Sequence, residues 1–535
     1  MITGKNYIGF DQMASGTVTY RTFDPIANRE NENLFVAATS EEVDKAVQLA
    51  VSAFATYRNM SGQRKAAFLN AIADEIMALD EELIQRYCLE SGLPEGRAKG
   101  ERGRTVGQLR AFAELVAEGS WVEAIIDTGK PERQPIPKPD LRKISIPLGP
   151  VAVFGASNFP LAYSTAGGDT AAALAAGCPV LVKSHPMHAG TGELVASAVV
   201  KAAKDTGMPN GVFSNLNSKG IEVGTQLVSH SGVKAVGFTG SIKGGRALFD
   251  LAAQRAEPIP VFAEMGSINP VVVLPSAVED SALDDWAAKY ASSITLGGGQ
   301  FCTNPGLLLG LKGTALDGFI ASLDTEIKKM TSHHMLHPNI HQNFENGRAE
   351  LSAQAGVSVV GSYNTLKAPN TTTNTVLTVS GSDFLKNPIL HKEVFGPFSI
   401  VVSCSDKEEL RTIIAQLEGQ LTGTVLGRKS ELEAYKDVVA ALGDRVGRII
   451  FNGVPTGVEV CPAMLHGGPY PASTDSRFTA VGVYSIRRWV RPFSFQDWPD
   501  ATLPEALQNA NPLKLNRLVD GNWTTEPLLL ETSEI

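Results

Sequence analysis

Cysteine is scarce. The chain of 535 residues carries five: Cys88, Cys178, Cys302, Cys404 and Cys461. An odd, unpatterned set excludes a disulfide framework and points to a reducing compartment. Long apolar runs are missing too. The opening MITGKNYIGF has no signal-peptide core, and the stretch Ala166 to Val182 is broken by Gly167, Gly168, Asp169, Thr170, Gly177 and Pro179. A membrane-spanning helix needs about 20 mostly apolar residues, so none is expected and the chain reads as cytoplasmic. Basic residues are outnumbered, 47 against 56, for a net charge of −9 and a pI ≈ 5.6. That argues against a nucleic-acid or anionic-membrane partner, which would need a basic face. Small anionic substrates stay open, since a few local Arg or Lys can hold them. A hydrophobic share of 43% excludes disorder as the main state.

What is present is an alternation of short strands and helices. Thr39 and Glu42 make a capping-box pattern ahead of a helix over 40–57, with Val43, Ala46, Val47, Ala50 and Phe54 on one face. Further helices are predicted over 62–90 and 106–118. From Pro150 onward, β-branched runs at Val151–Phe154, Val180–Lys183, Val212–Ser214, Ala235–Phe238 and Pro260–Phe262 recur roughly every 24–32 residues, the pitch of βα units. A second alternation predicts helices over 279–294, 314–330 and 341–354, and strands at Ser399–Val402, Thr422–Leu426 and Arg448–Phe451. The fold class is α/β, with doubly wound parallel sheets. Pro131 to Pro147 reads as an extended arm or linker, Val481 to Val490 as a late strand, and the tail from Pro499 as irregular.

Several residues fit chemistry, though each alone also fits an ordinary structural role. Cys302, in Gly299-Gln300-Phe301-Cys302-Thr303, follows glycines that let the backbone approach a ligand. A nearby cation or helix N-terminus would make it a thiolate nucleophile; otherwise it is a small buried hydrophobe. Glu264 and Asn158 each follow a strand end, where α/β sheets place their sites. Burial would tune Glu264 toward a general base, and the Asn158 amide suits an oxyanion; a capping Glu and a turn Asn are the plain alternatives. Phe238-Thr239-Gly240-Ser241-Ile242-Lys243-Gly244-Gly245 runs from strand into helix and suits a pyrophosphate, although it is not a G-x-G-x-x-G fingerprint. His333, His334, His337 and His341 read as surface histidines, because no Cys or paired carboxylate completes a metal set; no metal is expected.

Together these segments resemble the aldehyde dehydrogenase superfamily over about residues 20–495, with Glu393-Val394-Phe395-Gly396-Pro397 as a further matching piece. A closer branch is similar: the α-ketoglutarate semialdehyde (2,5-dioxovalerate) dehydrogenases. The resemblance implies that Cys302 attacks the aldehyde and that the Asn158 amide holds the oxyanion. It implies that Glu264 activates the water that hydrolyses the thioester. Glu393 would bind the nicotinamide ribose, Phe395 would pack near the nicotinamide and Lys183 would reach the adenosine ribose. The usual Glu after Lys-Pro-x is absent from Lys183-Ser184-His185-Pro186, and Lys243 stands where the related luminous-bacterial enzymes carry an Arg. A carboxylate at 186 would repel a 2′-phosphate, so NADP is expected over NAD, with Lys183, Ser184, His185, Gly240, Ser241, Lys243 and Gly245 as further coenzyme contacts.

The substrate expected from the branch is 2,5-dioxovalerate, oxidised to 2-oxoglutarate. Arg104, Arg110, Thr303, Thr456 and Arg477 are candidates for its polar end. Phe159, Phe301 and Phe478 pull toward long-chain aldehydes, the main alternative, and a coenzyme A-acylating enzyme is a remoter one. The family fold would make 1–130 and 148–258 a discontinuous coenzyme-binding domain and 259–478 the catalytic domain. Segments 131–147 and 479–498 would form an oligomerisation element, and 499–535 a tail. Arg487, Arg488 and Arg491 would edge an intersubunit sheet in a homodimer, with a tetramer also open.

Overall fold

A computed structural model describes residues 2–278, 282–455 and 457–528. The βα repeat builds a seven-stranded sheet ordered Val261–Glu264, Ala235–Thr239, Val151–Phe154, Val180–Lys183, Phe213–Leu216, Asn6–Ile8 and Asp11–Met13. The first five strands are parallel, and the two N-terminal ones add antiparallel at the far edge. Val151–Phe154 and Val261–Glu264 are buried at every position, as parallel strands covered on both faces must be. Strand order reverses at Val151–Phe154: later strands add on one side, then on the other. Ligand crevices in open α/β sheets form at such a reversal, outside the carboxyl ends of the strands. The Asn158 turn, the Gly240 turn and Glu264 all lie at those ends.

The second sheet runs Ser358–Tyr363, Asn374–Ser380, Phe398–Cys404, Leu307–Leu311, Val271–Val273, Gln420–Leu426 and Val446–Phe451. All its pairings are parallel except that of the edge strand Ser358–Tyr363. A third sheet of five strands joins Val490–Gln496, Leu141–Pro147, Ile125–Asp127, Arg517–Val519 and Asn522–Thr524.

Several sequence expectations shift. The capping box at Thr39 forms, with Glu42 N–H donating to Thr39 Oγ1 at 3.2 Å and Thr39 N–H to Glu42 Oε2 at 2.9 Å. The helix expected over 62–90 is two, Gly62–Ala78 and Asp80–Ser91, because Asp80 takes a left-handed φ of 42° between them. The next begins directly after Pro94 and spans Glu95–Glu118. Pro338 opens the helix Pro338–Ser352 as its first residue, which a proline tolerates because no helical N–H bond is lost there. The late strand is displaced: Val483–Trp489 is a 3₁₀ helix, and the strand is Val490–Gln496. Burial of Ile486, Arg488 and Trp489 holds that turn against the first sheet. Val261–Glu264 belongs to the first sheet, Ile125–Asp127 to the third, and the tail supplies two strands of the third. Among the described residues no helix is long and apolar enough to cross a membrane.

Candidate active site

The loop before strand Leu307–Leu311 presents Cys302. Gly297, Gly298 and Gly299 all have positive φ, and a Cβ on Gly299 would lie 2.2 Å from the Gly396 carbonyl carbon, so the loop can cross that backbone only as glycine. Three side-chain amides then fix it. Asn269 Nδ2 donates to the carbonyls of Cys302 (2.8 Å) and Asn304 (2.9 Å), and Asn158 Nδ2 donates to that of Gln300 (2.9 Å). Gln300 Oε1 accepts from Leu336 N–H at 3.0 Å.

The other wall is tied to the edge strand of the first sheet. Thr474 N–H donates to Ala263 O at 3.1 Å, Met265 N–H donates to Ala472 O at 2.8 Å, and Glu264 bridges to Ser473. This anchoring carries the preceding His466 into the site. His466 Nε2 lies 3.3 Å from Cys302 Sγ, and its Nδ1 lies 3.1 Å from Glu264 Oε2. Arg488 Nη2 donates to Glu264 Oε1, and Arg488 Nη1 donates to Asp169 Oδ1 at 3.2 Å. Cysteine, imidazole, carboxylate, guanidinium and carboxylate thus form one chain of alternating character. Burial raises the Asp169 carboxyl above its ordinary range, Arg488 opposing it.

Cys302 lines two cavities. One, of about 390 Å³, is walled by Arg97, Arg104, Phe159, Tyr163, Phe301 and Thr303. Its two arginines are seven residues apart on the helix Glu95–Glu118, and Gly96 and Gly100 beside them leave the wall open. The Arg97 guanidinium covers the Phe159 and Phe301 rings at 4.3 and 4.7 Å, and Arg104 Nη2 donates to Tyr163 Oη at 3.0 Å. Arg104 Nε is buried without a partner. The second cavity, of about 290 Å³, is lined by Asn158, Gly240, Ser241, Glu264, Glu393 and Phe395 among others. A Cβ on Gly266 would strike Glu393 Oε2 at 2.4 Å, and Gly245 is packed on Met265, so glycine keeps this groove open. Ser241 Oγ caps the helix Ile242–Ala253, accepting from Gly244 N–H at 3.2 Å.

Lys183 ends the strand Val180–Lys183, Ser184 and His185 follow it, and exposed Lys243 lies in the first turn of Ile242–Ala253. None of the four lines the second cavity itself. Burial lowers the Lys183 ammonium to about 8. Burial, helped by His188, Lys183 and His337, pulls the His185 imidazole well below its ordinary range. Of the four surface histidines, His337 is half-buried and caps its helix, accepting from Asn339 N–H at 3.1 Å. Arg110 and Arg477 do not reach the site. Each is exposed and paired locally, with Asp74 at 3.0 Å and Asp475 at 2.6 Å. Phe478 packs on Phe262 and lines neither cavity. Thr456 lies outside the described residues. Arg488 does not edge a sheet: it is buried and turned into the site. The sequence reading missed His466, Asn269 and Arg97. Among the described residues no three His, Cys, Asp or Glu side chains gather as a metal set.

The model of the aldehyde dehydrogenase family matches residues 13–478. The chain belongs to the aldehyde dehydrogenase family. Among its relatives in that family is alpha-ketoglutaric semialdehyde dehydrogenase 2 of Azospirillum brasilense. The two are 47% identical over 97% of this chain and 99% of that one. An alpha-ketoglutaric semialdehyde dehydrogenase of Acinetobacter baylyi is 43% identical over 97% and 99%. The aldehyde dehydrogenase fold is shared with a mutant of aldehyde dehydrogenase C from Pseudomonas syringae, solved with NAD+ and octanal. That match has a TM-score of 0.78 at 21% identity and covers 94% of this chain and 98% of that one.

Proposed function

We propose that the chain oxidises 2,5-dioxovalerate to 2-oxoglutarate with a nicotinamide coenzyme, Cys302 being the nucleophile. The observation that carries the substrate is the cationic wall of the 390 Å³ cavity beside Cys302. Arg97 and Arg104 face this space, whose one acid, Glu101, accepts from Tyr87 Oη and from the Leu161 and Ala162 N–H groups and pairs with Arg97 Nε at 3.4 Å, so Arg97 is partly neutralised and Arg104 carries the wall's charge. A substrate with a carboxylate and a 2-oxo group at one end and an aldehyde at the other suits that wall. The near-full-length likeness to two proteins named for this substrate supports the same reading. Phe159 and Phe301 would favour a long alkyl chain, but Arg97 covers both rings.

Cys302 attacks the aldehyde carbon from its position between the two cavities, and the Nδ2 hydrogen of Asn158 not given to Gln300 O, with the Cys302 backbone N–H, would hold the oxyanion. Gly240, Ser241, Gly245, Glu393 and Phe395 would hold the nicotinamide coenzyme, which would supply the hydride acceptor. Glu264 belongs to the machinery that hydrolyses the resulting thioester. On the adenosine side, Lys183, Ser184, His185 and Lys243 offer donors and no carboxylate, so NADP is preferred and NAD is accepted. The coenzyme-binding part comprises the first sheet with its helices, and the catalytic part the second. The third sheet serves dimerisation: among the described residues Val490–Gln496 is an edge strand, paired only with Leu141–Pro147. The test is kcat/KM for 2,5-dioxovalerate, hexanal and decanal with each coenzyme. The dicarbonyl acid with NADP should lead; decanal ahead by tenfold or more would reject the substrate.

A further inference from the structure

The turn after strand Val151–Phe154 carries a tyrosine with a donor to spare. Tyr163 lines the 390 Å³ cavity together with Cys302. Its backbone is pinned: Ala156 N–H donates to Tyr163 O at 2.8 Å, and Tyr163 N–H donates to Phe159 O at 3.3 Å. Its ring packs edge-on against Phe159, centroids 5.1 Å apart, and lies tilted beside the His466 ring at 5.9 Å. Glu101 ties the same turn to the helix Glu95–Glu118, accepting from the Leu161 and Ala162 N–H groups at 2.8 and 2.9 Å. Arg104 stands on that helix, so guanidinium and phenol are held in a fixed relation.

The phenol oxygen accepts from Arg104 Nη2 at 3.0 Å, and among the described residues its own O–H meets no acceptor. A tyrosine hydroxyl both donates and accepts, so one donor is left over beside the cavity. A cationic donor on the oxygen polarises the O–H and makes it the stronger donor. Arg104 itself pairs with no carboxylate among the described residues. Arg448, the other arginine that faces Tyr163, is engaged elsewhere. Its Nη1 donates to Met464 Sδ at 2.9 Å and its Nη2 to the Gly457 carbonyl at 3.2 Å.

Two donor atoms 3.0 Å apart, one cationic and one neutral, match one chemical unit. With its two C=O groups side by side, a 2-oxo acid sets its keto oxygen about 2.8 Å from a carboxylate oxygen by standard bond lengths. The guanidinium suits the charged oxygen and the phenol the uncharged one. We propose that Tyr163 is a specificity-determining residue of this site: its O–H donates to the 2-oxo oxygen of the substrate while Arg104 holds the neighbouring carboxylate. The inference rests on the substrate reading given above. It adds that the site selects a 2-oxo acid over other short acids that end in an aldehyde. The reach suits the substrate. Its 2-oxo carbon lies three bonds, about 4 Å, from the aldehyde carbon. The His466 ring beside Tyr163 comes within 3.3 Å of Cys302 Sγ.

The test compares 2,5-dioxovalerate with glutarate semialdehyde, the same five-carbon acid with CH₂ in place of the 2-oxo group. Steady-state kinetics are measured on the full-length enzyme with NADP. The unsubstituted enzyme should favour the dicarbonyl acid by roughly 10–100-fold in kcat/KM, the size of a hydrogen bond whose loss strands a polar group. Tyr163→Phe keeps the ring and its packing and should bring that ratio to within about threefold, chiefly through KM. Arg104→Met should instead lower kcat/KM for both acids, because both carry the carboxylate. Equal kcat/KM for the two acids in the unsubstituted enzyme overturns the inference and leaves the substrate reading standing. So does a Tyr163→Phe enzyme whose ratio stays within about twofold of the parent's, since a structural tyrosine would lower both acids alike. An unsubstituted enzyme that prefers decanal by tenfold or more rejects the substrate reading and the inference with it. If Tyr163→Phe does not fold, inhibition of the unsubstituted enzyme decides. A Ki about tenfold lower for 2-oxoglutarate than for glutarate upholds the inference, and equal values refute it.

Discussion

Arg104→Met removes one guanidinium from the wall of the 390 Å³ cavity and leaves Cys302 and its loop untouched. A unit charge pair at about 4 Å is worth about 4 kcal/mol at an effective dielectric near 20. Arg104 is half-buried and shares its fork with Tyr163 Oη, and Arg97 remains on the same wall, so the loss is smaller than the full Coulomb figure. Hydrogen bonds to charged groups contribute about 1.5–3 kcal/mol, which converts to roughly 10–150-fold. The expected outcome is a fall of that size in kcat/KM for 2,5-dioxovalerate, carried mostly by KM, while kcat/KM for hexanal stays within threefold. Arg104→Lys should recover part of the loss, because it restores charge but not the planar fork. Steady-state kinetics on both substrates make the comparison. An equal loss on hexanal would mean that Arg104 supports the fold of the pocket rather than the carboxylate, and the substrate reasoning would fail.

Cys302→Ala should abolish turnover while coenzyme still quenches intrinsic fluorescence; appreciable turnover contradicts the nucleophile. Asn158→Ala should lower kcat by roughly 10²–10³-fold through loss of an oxyanion donor, with KM little changed. Lys243→Ala should lower kcat/KM with NADP by roughly tenfold and leave NAD alone, by removing a phosphate-facing cation. Lys65 tests the fold through pH. It is 5% exposed, and burial lowers its ammonium to about 8. A lysine with a lowered folded value destabilises below that value, and the protein regains the difference as pH rises from about 8 through the unfolded value near 10.4. Lys65→Met should therefore stabilise the protein at pH 7 by up to about 3 kcal/mol in denaturant melts, with the gain vanishing above pH ~10.5. A destabilised variant at pH 7 would contradict the assigned burial penalty.

The sheets were legible where pattern and packing agree. Val151, Val180, Val236 and Val261 mark buried parallel strands, and continuous apolar runs are what such strands require. Cys302, Glu264 and Asn158 were legible because each follows a glycine-rich turn or a strand end, and the fold converges on those ends. His466 had no local signal. It reaches Cys302 only because Ala472 and Thr474 hydrogen-bond the edge strand more than two hundred residues earlier in sequence. Arg488 looked like the charged margin of an edge strand. Its signal was present, an arginine between the large apolar residues Ile486 and Trp489, but only the 3₁₀ turn shows that all three point inward. Arg97 escaped notice because its partners, Phe159 and Phe301, are far away in the chain. Arg110 and Arg477 were misplaced for the converse reason: Asp74 and Asp475 hold them at the surface.

The most direct test of the central reading is product stoichiometry. Purified protein is incubated with 2,5-dioxovalerate and NADP, and 2-oxoglutarate is quantified against NADPH. The two should accumulate one for one, with no added thiol acceptor and with none of either in the Cys302→Ala protein. NADPH without 2-oxoglutarate, or product that appears only when coenzyme A is supplied, would contradict it.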